Sequence, residues 1–269
     1  MKPVIRNPAY VICLERKNKE RCDIHFPFIK NLFVNAKRMD AVDASTLDVQ
    51  SDKRVSLFAK YHLQTTLDTD VLHLSMKGAV GCAMSHINVW KKIADSGEPG
   101  FVIEDDINID GQETDLATAF ARLPDDDSID FASFMYLNWG NTKIRDHANY
   151  NDDWYQISSR YFSGTQMYYL TPNGAKLLLE NVYPIATHID VYIAYVAATK
   201  SYNFKAIFLK QNLYPFHLEW KDNLQSTLGH DITIKKILPD GNLFYYIVLF
   251  LVLFFLISSV VLFIHRHKK

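Results

Sequence analysis

Residues Gly100 to Ile109 read GFVIEDDINI. Phe101, Val102 and Ile103 form a β-branched and aromatic run after the turn signal Gly97-Glu98-Pro99-Gly100. The pattern predicts a short buried strand with Glu104, Asp105 and Asp106 at its tip. Adjacent acids repel one another, so a fold that gathers three of them calls for a compensating cation. A hard divalent ion such as Mg²⁺ or Mn²⁺, bound through carboxylate oxygen, suits that chemistry. In open α/β sheets ligands collect beyond the carboxyl ends of the strands, where this tip would lie. The plainer alternative is a solvated acidic loop, and the flanking sequence has to decide.

Immediately upstream, Lys77 to Lys92 (KGAVGCAMSHINVWKK) predicts a helix: Ala83, Ile87 and Trp90 recur at helical spacing, and Gly78 and Gly81 permit close backbone approach. Ser85 and His86 are neighbours on it and point apart, which excludes a serine-hydrolase pair. Nearer the start, Ala9 to Leu14 predicts a strand, Glu15 to Asn18 a turn, Glu20 to Leu32 a helix weakened by Pro27, and Val34 to Val42 a second strand. Strand, helix, strand implies a parallel α/β sheet. Thr46 to His73 reads as a helical or loop insertion.

Downstream, Leu116 to Leu123 predicts a helix and Ile129 to Leu137 a core strand. Asn138-Trp139-Gly140-Asn141 at its tip suits a sugar ring. Asn149 to Trp154 reads as a mobile loop. Tyr161 to Leu170 reads as a strand broken at Ser163-Gly164-Thr165 by a bulge or a close ligand. Ala175 to Val182 and Val191 to Thr199 predict helices on either side of Pro184 and His188-Ile189-Asp190, and Phe204 to Leu209 predicts a last strand.

The 269 residues, 48% of them hydrophobic, are enough for one sizeable core plus an appendage. A formal charge of -1 offers no field for nucleic acid. Cys13, Cys22 and Cys82 have no metal-ligand spacing and predict reduced, buried thiols. From Leu243 to Ile264 the chain is apolar and uncharged, long enough to span about 30 Å of hydrocarbon as a helix. Tyr245 and Tyr246 flank it on one side, and Arg266, Lys268 and Lys269 on the other. The expected organisation is a catalytic domain over 1–230, a linker over 231–242, a membrane helix over 243–264 and a basic tail over 265–269. With no N-terminal signal sequence the domain is expected to face the cytosol.

Taken in order, ICLER with Arg21, DAVDA at Asp40 to Ala44, GCAMSHINVW at Gly81 to Trp90, VIEDD at Val102 to Asp106, GTQMYYLTPNGAKLLL at Gly164 to Leu179 and HID at His188 to Asp190 resemble glycosyltransferase family 25. This is the lipooligosaccharide and procollagen galactosyltransferase family, and the resemblance runs from about Tyr10 to about Leu228. It implies a GT-A type nucleotide-diphospho-sugar transferase fold, with a single mostly parallel sheet flanked by helices. It implies inverting transfer of a hexose, commonly galactose, from a UDP-sugar to a glycan, lipid-linked saccharide or glycoprotein, with a divalent cation, Mn²⁺ before Mg²⁺. Carried over residue by residue, Leu14, Arg16, Arg21, Asp43, Ser85, Glu104, Asp105, Asn138, Gly164 and Thr165 would contact the donor. Glu104, Asp106 and His217 would hold the metal, Asp106 foremost. Asp190 would be the acceptor's base, with His188 second, although Asp190 equally suits the N-cap of a helix beginning at Val191.

Three positions depart from the family pattern: Cys13 stands for an Asn, Glu15 for an Asp and Ala44 for a Gly. They leave a second reading, an inactive relative that binds a nucleotide-sugar or glycan at a membrane. A phosphoryl-transfer or nuclease enzyme is the third, and the chain lacks the GxxxxGK[ST] loop that would support it.

Overall fold

The structure is a computed structural model and describes residues 5–65, 77–107, 113–135, 147–158, 162, 164–210 and 213. The opening unit is β1 (Ala9–Cys13), α1 (Glu15–Leu32) and β2 (Ala36–Asp40), with β2 parallel to β1. The turn expected at Glu15 to Asn18 is the first turn of α1, since Glu, Arg and Lys favour helix and supply no break. Pro27 stays inside that helix, whose buried face of Cys22, Ile29 and Leu32 outweighs the missing backbone bond. A short 3-10 turn (Ala44–Thr46) follows, then α2 (Leu57–Thr65), α3 (Lys77–Ser96) and β3 (Gly100–Glu104). The second half contains α4 (Glu113–Ala121), β4 (Ile129–Ser133), β5 (Ala148–Asn149), β6 (Trp154–Gln156), β7 (Met167–Leu170), α5 (Pro172–Leu179), α6 (Ile189–Thr199) and β8 (Lys205–Leu209).

Among the described residues these strands form one eight-stranded sheet in the order β2-β1-β3-β7-β4-β8-β6-β5. β7 lies antiparallel between β3 and β4, and β6 is antiparallel to β8 and β5. Six strands therefore run one way and two the other, which makes the sheet mixed by pairing where a mostly parallel one was expected.

Side-chain alternation divides the core in two. Tyr10, Ile12, Val102, Phe131, Tyr168 and Phe208 face α3, α5 and α6. Ala9, Val11, Phe101, Ile103, Ala132 and Ile207 face α1 and α4. Both faces are covered by helices, as an apolar run such as Phe101 to Ile103 requires.

Three further expectations change. Asn149 to Trp154 is the β5–β6 hairpin, because Asn151 Oδ1 accepts the amides of Asp153 and Trp154 at 2.9 Å each and Trp154 is buried with its indole N–H on the Arg122 carbonyl. The strand over Tyr161 to Leu170 shortens to Met167–Leu170, and Gly164 sits at φ 153°, a left-handed backbone that suits glycine. Cys13 and Cys22 form a disulfide with Cα atoms 5.7 Å apart, joining β1 to α1, and only Cys82 is free. Spacing could not reveal that pair, because it arises once α1 starts at Glu15 and turns Cys22 back over the strand.

Among the described residues no helix is long and apolar enough to cross a membrane. Leu243 to Ile264 and the boundary near 230 lie outside the described residues.

Gly81 fixes the depth of α3. A Cβ there would lie 2.6 Å from the Val42 carbonyl oxygen and 3.0 Å from the Ala44 Cβ, so the room for Ala44's methyl group comes from Gly81. Gly81→Ala should destabilise the chain by roughly 1–3 kcal/mol through this overpacking, measured by urea unfolding. Thiol titration in denaturant should find one reactive cysteine before reduction and three after it.

Candidate active site

The site grows from the carboxyl end of β3. Glu104 N–H donates to the Gln166 carbonyl at 2.8 Å, which ties the acidic tip to the segment entering β7. The three acids then take different directions. Asp105 is 6% exposed and turns back to β1, where its Oδ2 accepts the Leu14 amide at 3.1 Å. Glu104 shares the sheet face of Val102 and meets α3, its side chain 18% exposed. Asp106 occupies the turn beyond the strand, half-buried.

On α3, Cys82, His86 and Trp90 are four residues apart and present one face to this tip and to β7. Trp90 Nε1–H donates to the Tyr168 hydroxyl at 2.8 Å. Tyr168 lies 2.8 Å from His86 Nδ1, and His86 Nε2 lies 3.2 Å from Glu104 Oε1. His86, Trp90 and Tyr168 are fully buried. Cys82 Sγ, a His86 ring nitrogen and a Glu104 oxygen lie within 4.8 Å of one another. Burial, followed by the charges of Glu104, Asp190 and Asp106, pushes the Cys82 thiol well above its ordinary value. One sulfur atom thus feels carboxylates from β3, from the turn after it and from the start of α6. Burial likewise pushes the Tyr168 phenol well up, with Glu104 adding to it and the Trp90 bond opposing.

Asp190 is in the first turn of α6, and its Oδ1 accepts the Val191 amide at 2.9 Å. The helix begins at Ile189 with His188 at the N-cap, whose side chain makes no capping bond, so the expected Asp190 cap of a helix starting at Val191 is corrected. An acid in the first turn is still favoured by the helix dipole.

The remaining candidates separate. Asp43 caps the 3-10 turn, its Oδ1 taking the Ser45 amide at 2.9 Å and the Ser45 hydroxyl at 2.7 Å. Ser85 donates to the Gly81 carbonyl at 2.7 Å and accepts the Val42 amide at 2.8 Å, so its hydroxyl fastens the loop after β2 to α3. The Gly164 carbonyl accepts the Ser133 hydroxyl at 2.6 Å, and Thr165 is buried beside it. Leu14 presents its amide to Asp105, as above. Arg16 and Arg21 lie in the first two turns of α1. Asn138 and His217 lie outside the described residues.

His86, Cys82, Trp90 and Tyr168 were missed as a group by the sequence reading. Their signal was the four-residue spacing within GCAMSHINVW, which periodicity assigns to ordinary core packing. Tyr168, arriving from β7, and Glu104, from β3, give the face its polar partners.

The family model described as glycosyltransferase family 25 (LPS biosynthesis protein) matches residues 6–193. A "Glycosyltransferase 25 family member" of Anopheles gambiae is 27% identical over 173 residues, covering 63% of this chain and 28% of its own length. "Putative glycosyltransferase R655" of Acanthamoeba polyphaga mimivirus is 60% identical over 37 residues, 13% of this chain and 11% of its own. The chain thus matches about a quarter and about a tenth of the lengths of these two relatives.

Ser85→Ala removes both bonds of that hydroxyl and leaves the Val42 amide without its partner. Unfolding in urea should show a loss of roughly 1–3 kcal/mol with the m-value unchanged.

Proposed function

The chain belongs to glycosyltransferase family 25, and from that premise we propose that it transfers a hexose, galactose foremost, from a UDP-sugar to a hydroxyl of a glycan, lipid-linked saccharide or glycoprotein, with inversion at the anomeric carbon. The observation that carries the reading is the acidic tip of β3, where Glu104 ends the strand against the Cys82–His86 face of α3 and Asp106 follows in the turn.

The donor set fits a hard divalent ion. Glu104 at the end of β3 and Asp106 in the turn after it, two positions apart, offer carboxylate oxygens of the type a hard divalent ion takes. Glu104 and Asp106 would hold Mn²⁺ or Mg²⁺, with His217 a further candidate. The ion would supply Lewis-acid stabilisation of the negative charge on the departing diphosphate.

The chain's own residues do the rest. Asp190 accepts the proton of the acceptor hydroxyl as that oxygen bonds to the anomeric carbon, while the bond from that carbon to the UDP oxygen breaks and UDP leaves with the electron pair. The Val191 amide on Asp190 Oδ1 holds the carboxylate in its acceptor form. Asp105 serves the frame, binding the end of β1 to the tip so that Glu104 and Asp106 keep their spacing. The Gly164-Thr165 backbone leads into β7 beside the acidic tip, where the next carbonyl, of Gln166, takes the Glu104 amide. Anchoring through Leu243 to Ile264 belongs to the same proposal and rests on the sequence of that segment.

UDP release by the full chain should appear with one UDP-sugar in Mn²⁺, vanish with chelator, and fall to background in Asp106→Asn. Mn²⁺-dependent UDP binding without turnover would favour the inactive binding relative. Failure to bind any nucleotide-sugar would overturn the donor assignment.

A further inference from the structure

Cys82, His86 and Glu104 have the composition of a metal cluster, but their hydrogen bonds assign His86 a different task. Trp90 Nε1–H is a donor only, and it occupies the Tyr168 oxygen. The Tyr168 side chain has two hydrogen-bond partners among the described residues, Trp90 and His86. If His86 carried a proton on Nδ1, that N–H would also point at the Tyr168 oxygen, and the phenol proton would have no acceptor in a fully buried place. An orphaned donor of that kind costs roughly 1–3 kcal/mol. A bare Nε2 facing Glu104 Oε1 at 3.2 Å would add a contact between two acceptors. One arrangement satisfies every group: Trp90 donates to Tyr168, Tyr168 donates to His86 Nδ1, and neutral His86 donates through Nε2–H to Glu104. In it both ring nitrogens are engaged, so His86 has no lone pair left for a metal.

We propose that His86 is the positioning residue of Glu104, held as its Nε2–H tautomer by Tyr168 and Trp90 so that one Glu104 oxygen is fixed and the other is presented to the cation. The inference rests on the acidic tip being the cation and donor site. It explains why a histidine with no exposed surface lies beside a mostly buried acid, and why the packing face of α3 carries a polar chain at this height. An outer partner of this type donates to a ligating carboxylate and fixes its orientation.

The test uses the full chain without donor sugar. Long-range ¹H–¹⁵N spectra of histidine-labelled, metal-free protein should show His86 as the Nε2–H tautomer, and Tyr168→Phe should release that preference. Mn²⁺ alone, titrated by its electron-paramagnetic signal, should bind roughly 10–100-fold more weakly to His86→Leu and Tyr168→Phe. His86→Gln, which keeps an amide N–H for Glu104 and an oxygen for Tyr168, should recover most of the affinity. An Nδ1–H or doubly protonated His86, or unchanged Mn²⁺ affinity in a folded His86→Leu, overturns this proposal alone. A wild-type chain that binds no Mn²⁺ overturns it together with the cation assignment. If His86→Leu does not fold, the wild-type tautomer and the His86→Gln titration decide.

Discussion

Carboxylates confined to a small volume repel one another, and the architecture around β3 is arranged to hold them together all the same. It does so with neutral donors. Asp105 takes the Leu14 amide, Asp190 takes the Val191 amide and Glu104 meets His86. Each donor belongs to a different element: the end of β1, the first turn of α6 and the middle of α3. A neutral N–H stabilises a carboxylate without cancelling its charge, whereas a lysine or arginine in the same place would compete with any incoming cation. Two of these contacts join separate elements, β3 to the end of β1 through Asp105 and β3 to α3 through Glu104, while the Asp190 bond stays within α6.

That arrangement depends on how deep α3 sits. Gly81 lets its first turns close on the loop after β2, and Ser85 locks the contact with two bonds. At that depth the Cys82–His86–Trp90 face meets Tyr168 on β7 and Glu104 on β3. Ala44, a departure from the family pattern, fits because the position facing it has no Cβ. Cys13, another departure, is occupied in tying β1 to α1. Both departures are therefore absorbed by local packing.

The strand ending in Glu104 and the helix before it were legible because apolar periodicity and turn residues mark them in a single local window. The placement of β7 was not. Met167 to Leu170 alternates as any half-buried strand does, and nothing in that alternation says which neighbours it will have. The Asn149 to Trp154 hairpin was hidden for a similar reason: a polar stretch reads as loop until Trp154 is seen to be its buried anchor. His86 was visible as a residue but not as a participant, since its partner Tyr168 lies 82 residues away in the chain. Asp105 shows the same limit, because an acidic triplet does not reveal which of its members turns inward.

The insertion of β7 also sets the order in which the molecule assembles. β1, β2 and β3 complete their mutual pairings with chain that emerges early in synthesis, but the far edge of β3 waits for Met167 to Leu170. β4, made earlier than β7, reaches β3 only through it. Four residues thus bridge two half-sheets, and the closure is non-local on both sides. Contacts of such long sequence separation demand loop-closure entropy before they return any stabilisation. The nascent chain therefore carries an open, apolar strand edge at β3 until β7 has been made, and the acidic tip takes its final shape when β7 joins.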